Sequence, residues 1–219
     1  MRAIDCLIFD LDGTLIDSSV GVIDAVNYSL RMMNLPQQAP EKIVRYIGFP
    51  VEKMYADFGA KPVEELHHHF QSRAAQSMVA STVPLDGVDR TLMRLQADGY
   101  RMAIATTKIR PHLDGVIAKF GWGRLFETSV AADEVAAVKP APDAFRLALR
   151  RLGASAGRAL VVGDTINDVY AAHRVPVRVV AVESPYGGLD ELQASRPDYF
   201  VRTLADLPGL LTQINNHTG

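Results

Sequence analysis

Cys6 is the one cysteine among the 219 residues. A lone thiol excludes an intrachain disulfide and a thiolate metal cluster, and its place inside an apolar run points to core packing. A charge excess is missing too. Twenty-three Lys and Arg face 25 Asp and Glu, a formal net charge of -2, so no long-range attraction draws the chain to nucleic acid or an anionic membrane. That balance favours a small-molecule partner. No stretch approaches the roughly 18 apolar residues that a membrane span needs. The opening residues Met1-Arg2-Ala3-Ile4-Asp5 reach an acid before a secretory apolar core can form, so the expected location is cytoplasmic. Repeats and low-complexity tracts are also lacking. What remains is an ordinary globular composition, 48% hydrophobic and 22% charged, long enough to bury a full core as one large domain or two smaller ones.

Cys6-Leu7-Ile8-Phe9 is an apolar run that ends at Asp10-Leu11-Asp12-Gly13-Thr14. Such a run, stopped by a Gly-containing turn, reads as a central parallel strand. After it, Ser18 and Ser19 offer N-caps to a segment with Val22, Val26 and Leu30 at helical spacing, reaching about Met33. Prolines 36 and 40 break that helix. Shorter helical stretches are expected over 41–46 and 51–58, and a longer one runs from Val63 through Leu66, Phe70, Ala74 and Met78. Residues 17–83 thus read as all-helical. From Val83-Pro84-Leu85-Asp86-Gly87 onward the pattern alternates. Helices are expected near 88–98 and 110–120, and strands at 101–105, 159–162, 177–182 and 199–201. Strand and helix in alternation imply parallel pairing with right-handed crossovers. The expected fold is α/β, a doubly wound parallel sheet with a Rossmann-like core over 1–16 and 84–219, and an inserted helical cap over 17–83.

In open α/β sheets ligands bind outside the carboxyl ends of the strands, so residues at those ends are the site candidates. Asp10 and Asp12 are two apart and project to the same side of an extended segment. Like charges held so close are expensive to ionise unless a cation joins them. A polar Asx-type turn would explain a lone Asp-Gly equally well. The strand Met102-Ala103-Ile104-Ala105 ends at Thr106-Thr107-Lys108, where a hydroxyl can donate to a phosphate oxygen or simply cap a helix. Lys139-Pro140-Ala141-Pro142 holds a lysine at a rigid helix entry. Val161-Val162-Gly163-Asp164 ends another apolar strand, with Asp168 four residues on. Oxygen ligands without His or Cys describe a hard-cation site, and Mg²⁺ suits them better than Zn²⁺. A cation beside a lysine and a threonine is a place for a phosphoryl group, with Asp10 as the natural nucleophile.

With these residues assembled, the chain resembles the haloacid dehalogenase-like hydrolase superfamily, in particular its phosphoglycolate phosphatase-like branch. Asp10-Leu11-Asp12-Gly13-Thr14 is similar to the first motif, Thr106 to the second, Lys139-Pro140 to the third, and Gly163-Asp164 with Asp168 to the fourth. The resemblance implies a phosphatase in which Asp10 attacks phosphorus, while Asp12 protonates the leaving oxygen and then activates water. It implies Mg²⁺ held by Asp10, the Asp12 carbonyl and Asp164, with Asp168 acting directly or through water. Thr106 and Lys139 would bind the phosphoryl oxygens. Thr107 stands where relatives commonly carry Asn, and the segment near Val175 lacks a Gly that relatives often place there. Gly48-Phe49-Pro50 resembles a cap loop that faces the active site, which makes Gly48 and nearby Arg45 candidates for substrate contact. Tyr186-Gly187-Gly188 resembles a Tyr-Gly stretch of the phosphoglycolate and pyrophosphate branches. The expected substrate is a small phosphorylated metabolite, hydrolysed by a monomer or a homodimer.

Carbon dehalogenation uses the same aspartate but has no use for Mg²⁺, and it usually lacks an acid at the Asp12 position. A phosphomutase or a pyrophosphatase shares the core residues. A non-catalytic phosphate-binding protein is the rival from a different class. His67-His68-His69 cannot form a metal tract, because consecutive helical side chains point about 100° apart. Arg90, Arg94, Arg101 and Arg110 are interleaved with acids and read as ordinary surface. Trp122, between two glycines, reads as loop packing.

Overall fold

The computed structural model describes residues 2–216. Its strands are β1 (Cys6–Phe9), β2 (Ile16–Asp17), β3 (Val83–Pro84), β4 (Arg101–Ala105), β5 (Thr128–Val130), β6 (Ala159–Gly163), β7 (Arg178–Val182) and β8 (Tyr199–Val201). Six of them form one sheet in the order β5-β4-β1-β6-β7-β8, parallel throughout. All four residues of β1 are buried. That follows from its place at the centre, where both faces are covered and an unbroken apolar run is required.

Alternation along the strands separates two cores. On one face Leu7, Phe9, Met102, Ile104, Leu160 and Val162 cluster with side chains of α5 (Val88–Ala97), α6 (Arg110–Phe120) and α10 (Leu207–Asn216). On the other, Cys6, Ile8, Ala103, Ala105 and Val161 pack against α7 (Asp143–Leu152), α8 (Ile166–His173) and α9 (Leu189–Ala194). Helices on both faces make the sheet doubly wound. The chain leaves β1 for β4 and β5 on one side, then returns to β6 and moves outward on the other. The loops after β1, β4 and β6 therefore meet where the winding reverses, the position at which such sheets bind ligands.

Between β2 and β3 lie α1 (Ser19–Met32), α2 (Pro40–Ile43), α3 (Val51–Asp57) and α4 (Val63–Ser81). These helices have apolar clusters of their own, one of Val26, Leu30, Ile43, Met54, Tyr55, Ala60 and Leu66, and a smaller one of Ala25, Ala74 and Met78. The Tyr55 hydroxyl, buried in the first, is satisfied by Ser29 Oγ at 2.6 Å. No helix among the described residues is long and apolar enough to cross a membrane.

Several elements differ from the sequence expectation. β5 was not anticipated, since three residues are too few to show a period and only the edge of β4 makes them a strand. The 83–87 segment, expected only to close the helical block, contributes β3, which pairs antiparallel with β2. The helix expected over 41–46 divides into α2 and a 3₁₀ turn, Val44–Tyr46. Trp122 packs against Phe120 and Phe126 and donates from Nε1 to Asp89 at 2.8 Å. The arginines read as surface are paired locally, Arg94 with Asp98 and Arg101 with Glu127.

Candidate active site

Asp10 follows β1 directly and stays tied to the sheet by its N–H, which donates to Val162 O at 2.8 Å. Its Oδ1 accepts from Lys139 Nζ, while its Oδ2 is buried without a partner. Lys139, 2% exposed, spends its three N–H groups on Asp10, on Asp168 Oδ1 at 2.6 Å and on Ala105 O at 3.2 Å. Asp168 is also fixed from behind, because its Oδ2 accepts from Thr165 N–H at 3.1 Å and Thr165 Oγ1 at 2.7 Å in a capping box at the start of α8. Asp164 Oδ1 accepts from Thr14 Oγ1 at 3.0 Å, and its Oδ2 accepts from Ser184 Oγ at 2.6 Å.

Asp10, Asp164 and Asp168 each bring a carboxylate oxygen within 4.8 Å of the others, all buried. Lys139 pairs with two of these three carboxylates, Asp10 and Asp168, and the electrostatics reflect the shortfall. Burial pushes the Asp10 carboxyl up to about 7, aided by the charges of Asp168 and Asp12 and opposed by Lys139. Burial, with the charges of Asp10 and Asp168, holds Asp164 well above the usual carboxylate range. Lys139 is raised because Asp10 and Asp168 outweigh its own burial. The Asp10–Lys139 contact thus stabilises the cation while Asp10 itself still resists ionisation. An oxygen-only set with surplus negative charge and one unpartnered buried oxygen fits a divalent cation.

Glycine makes this crowding possible. Gly13 has φ +82°, and a Cβ there would lie 2.1 Å from Asp164 Oδ2. A Cβ on Gly163 would lie 2.5 Å from the Asp168 side chain.

Asp12 stands apart from the triad, 4% exposed. Its Oδ1 is ion-paired with Lys108 Nζ at 2.9 Å and accepts from Ser18 Oγ. Ser18 N–H in turn donates to Tyr186 Oη at 3.1 Å, and that hydroxyl donates to Asp17 Oδ1 at 3.1 Å. The sequence points to Ser18 only as a helix N-cap, yet its hydroxyl makes no capping bond and serves Asp12 instead; it assigns no role to Lys108, Thr14 or Ser184. For Lys108 a signal existed, because it lies in the loop that follows a strand's carboxyl end, where ligands bind in such sheets. Thr14 and Ser184 had none beyond being hydroxyls near a motif.

Thr106 is buried, and its Oγ1 accepts from Lys108 N–H at 3.1 Å. Thr107 and Gly48 line a cavity of about 310 Å³ that also reaches Asp12 and Lys108. Arg45 is not brought there. It is exposed and lines a second cleft, about 580 Å³, with Asp164, Ser184 and Gly187. His67 lies on the wall of the first cavity, paired with Glu52 at 2.8 Å, while His68 is exposed.

Residues 7–182 match the family described as haloacid dehalogenase-like hydrolase. The chain belongs to that family. This hydrolase is 32% identical over 225 residues to a phosphoglycolate phosphatase from Pectobacterium atrosepticum, covering 99% of this chain and 96% of the relative. It is 30% identical over 206 residues to the pyrophosphatase PpaX from Bacillus velezensis, covering 94% and 95%. Its fold superimposes on the crystal structure of a haloacid dehalogenase-like hydrolase from Bacteroides fragilis with a TM-score of 0.88 at 26% identity, over 93% of this chain and 99% of the other. Phosphatase is therefore the coarse function of this haloacid dehalogenase-like hydrolase.

Proposed function

We propose that the chain is a Mg²⁺-dependent phosphomonoesterase of the cytoplasm that acts on a small phosphorylated metabolite through an aspartyl-phosphate on Asp10. The observation that carries this reading is the state of Asp10. One oxygen is anchored by Lys139, and the other is buried, unpartnered and located where the sheet's winding reverses. A nucleophile needs that combination of fixed orientation and an available lone pair.

Asp10 attacks phosphorus, the bond to the leaving oxygen breaks, and Asp12 gives that oxygen its proton. Asp12 then takes a proton from the water that attacks the aspartyl-phosphate, and the bond to Asp10 breaks to release inorganic phosphate. Asp10, Asp164 and the Asp12 carbonyl are the proposed ligands of Mg²⁺. Asp168, which holds Lys139 through Oδ1 and is fixed by Thr165 through Oδ2, would reach the ion directly or through water. When bound, Mg²⁺ offsets the repulsion between an anionic nucleophile and an anionic phosphoryl group. Lys139 would reach a phosphoryl oxygen by exchanging one of the three acceptors that it now holds, and Thr106 would donate to another. Thr106 Oγ1 already accepts from Lys108 N–H, so its proton is left to donate. The helical segment 17–83 is proposed as a cap over the core 1–16 and 84–219 that excludes water during the reaction.

The test is phosphate release from a panel of phosphorylated metabolites, with Mg²⁺ or with EDTA, by wild type and Asp10→Asn. Turnover is expected to need Mg²⁺ and to fall at least about a thousandfold in Asp10→Asn. Full activity in Asp10→Asn would sink the covalent mechanism.

A further inference from the structure

If Asp12 protonates the leaving oxygen, the leaving group occupies the cavity that opens beside Asp12. That cavity, about 310 Å³, is walled by Val22, Ile47, Phe49, Met54, Phe70 and Met78. Glycolate or a phosphate ion would fill a minor part of it.

Its charges are already committed. Lys108 is the one lysine or arginine among the described residues lining it, and its Nζ is held by Asp12 at 2.9 Å. His67 is held by Glu52 at 2.8 Å. Burial, with Lys108 beside it and Asp12 opposing, holds His112 below the usual imidazole range. Arg45 and Lys53 line the other cleft, where Lys53 is paired with Asp57 at 2.7 Å. A carboxylate or second phosphate entering this wall would leave water without meeting an uncommitted cation, which is costly. An apolar body gains from the same wall. Gln71, whose Nε2 is already with His67 at 3.0 Å, and Tyr46, whose hydroxyl donates to Asp57 at 3.0 Å, keep their oxygens to accept from a hydroxyl.

We infer that the preferred substrate is a phosphomonoester whose leaving group is uncharged, with a hydrocarbon or aromatic body seated in this cavity, and not the glycolate or phosphate of the relatives' named substrates. This rests on the phosphatase reading above. Discrimination then comes from the helical segment, which supplies the six apolar side chains.

The experiment measures kcat/KM with Mg²⁺ for n-butyl phosphate and 2-phenylethyl phosphate beside 2-phosphoglycolate and pyrophosphate, with Asp10→Asn as background. Aliphatic alcohols are used so that leaving-group acidity does not decide the ranking of the esters. At least about a tenfold advantage is expected for the two neutral esters. A smaller advantage, or a preference for 2-phosphoglycolate or pyrophosphate, overturns the inference and leaves the phosphatase reading standing. No Asp10-dependent release from any of the four overturns both. Gln71→Arg adds a cation to the wall and is expected to shift the ratio toward 2-phosphoglycolate by about tenfold. An unchanged ratio in the folded variant places the leaving group elsewhere and overturns the inference.

Discussion

Asp12 is held by Lys108 at 2.9 Å and by the Ser18 hydroxyl, while Lys139 serves Asp10 and Asp168. A proton-transfer group needs its position fixed before its acidity matters. Lys108→Met is therefore expected to lower kcat by about 10²-fold while KM for a neutral ester changes little, and steady-state kinetics would show the split. An equal loss in kcat for Lys108→Met and for a distant surface lysine would remove that role. Gly13 tests the crowding directly. Gly13→Ala drives a methyl group into Asp164 from a backbone at φ +82°, so the variant is expected to lose Mg²⁺-dependent stabilisation and activity together, read by thermal unfolding with and without the ion. At this scale the sequence showed the acids, Thr106 and Lys139, because strand ends concentrate function. It did not show Thr14 or Ser184, whose importance is only that Asp164 lies beside them.

At the scale of elements, Glu134 joins three parts of the core. Its carboxylate accepts from Arg110 at the start of α6, from Arg151 in α7 at 2.8 Å and from Ala131 N–H at 2.8 Å just past β5. The Arg151 hydrogen bond, with Ala131 and Arg110, outweighs burial and holds the carboxyl down to about 2. A depressed folded pKa contributes stability that is present above the unfolded value and lost as pH falls through the folded one. Glu134→Gln should thus cost roughly 1–2 kcal/mol at neutral pH, a Tm loss of a few degrees, discounted for partial exposure. The difference from wild type should shrink between about pH 4.5 and about pH 2, measured by thermal scans across that range. The edge strand β5 is three residues long and carries no period of its own, so only its pairing with β4 makes it a strand. The long helices α1 and α4, by contrast, were legible from spacing, since each buries a stripe at i, i+3 and i+4.

For the whole molecule, the surplus of acids over Lys139 ties stability to proton binding, and under the proposed mechanism to Mg²⁺ as well. Asp10 held up near 7 means that the ion-free fold loses stability as pH rises from the unfolded value toward 7 and beyond. A divalent cation removes that penalty but must first displace the proton. The Tm gain on adding Mg²⁺ to EDTA-treated protein is therefore expected to be larger at pH 8 than at pH 6, by a few degrees at saturating ion. Equal gains at both pH values would separate Asp10 from the ion. The sequence by itself determined the alternation of strand and helix, the central strand β1 and the acids at strand ends, because each is written in local spacing. The tertiary structure alone decided that Lys139 would bridge Asp10 and Asp168, that Lys108 would meet Asp12, and that the cavity beside Asp12 would be apolar. Those outcomes depend on which side chains from distant segments share a small volume, and no local period records that.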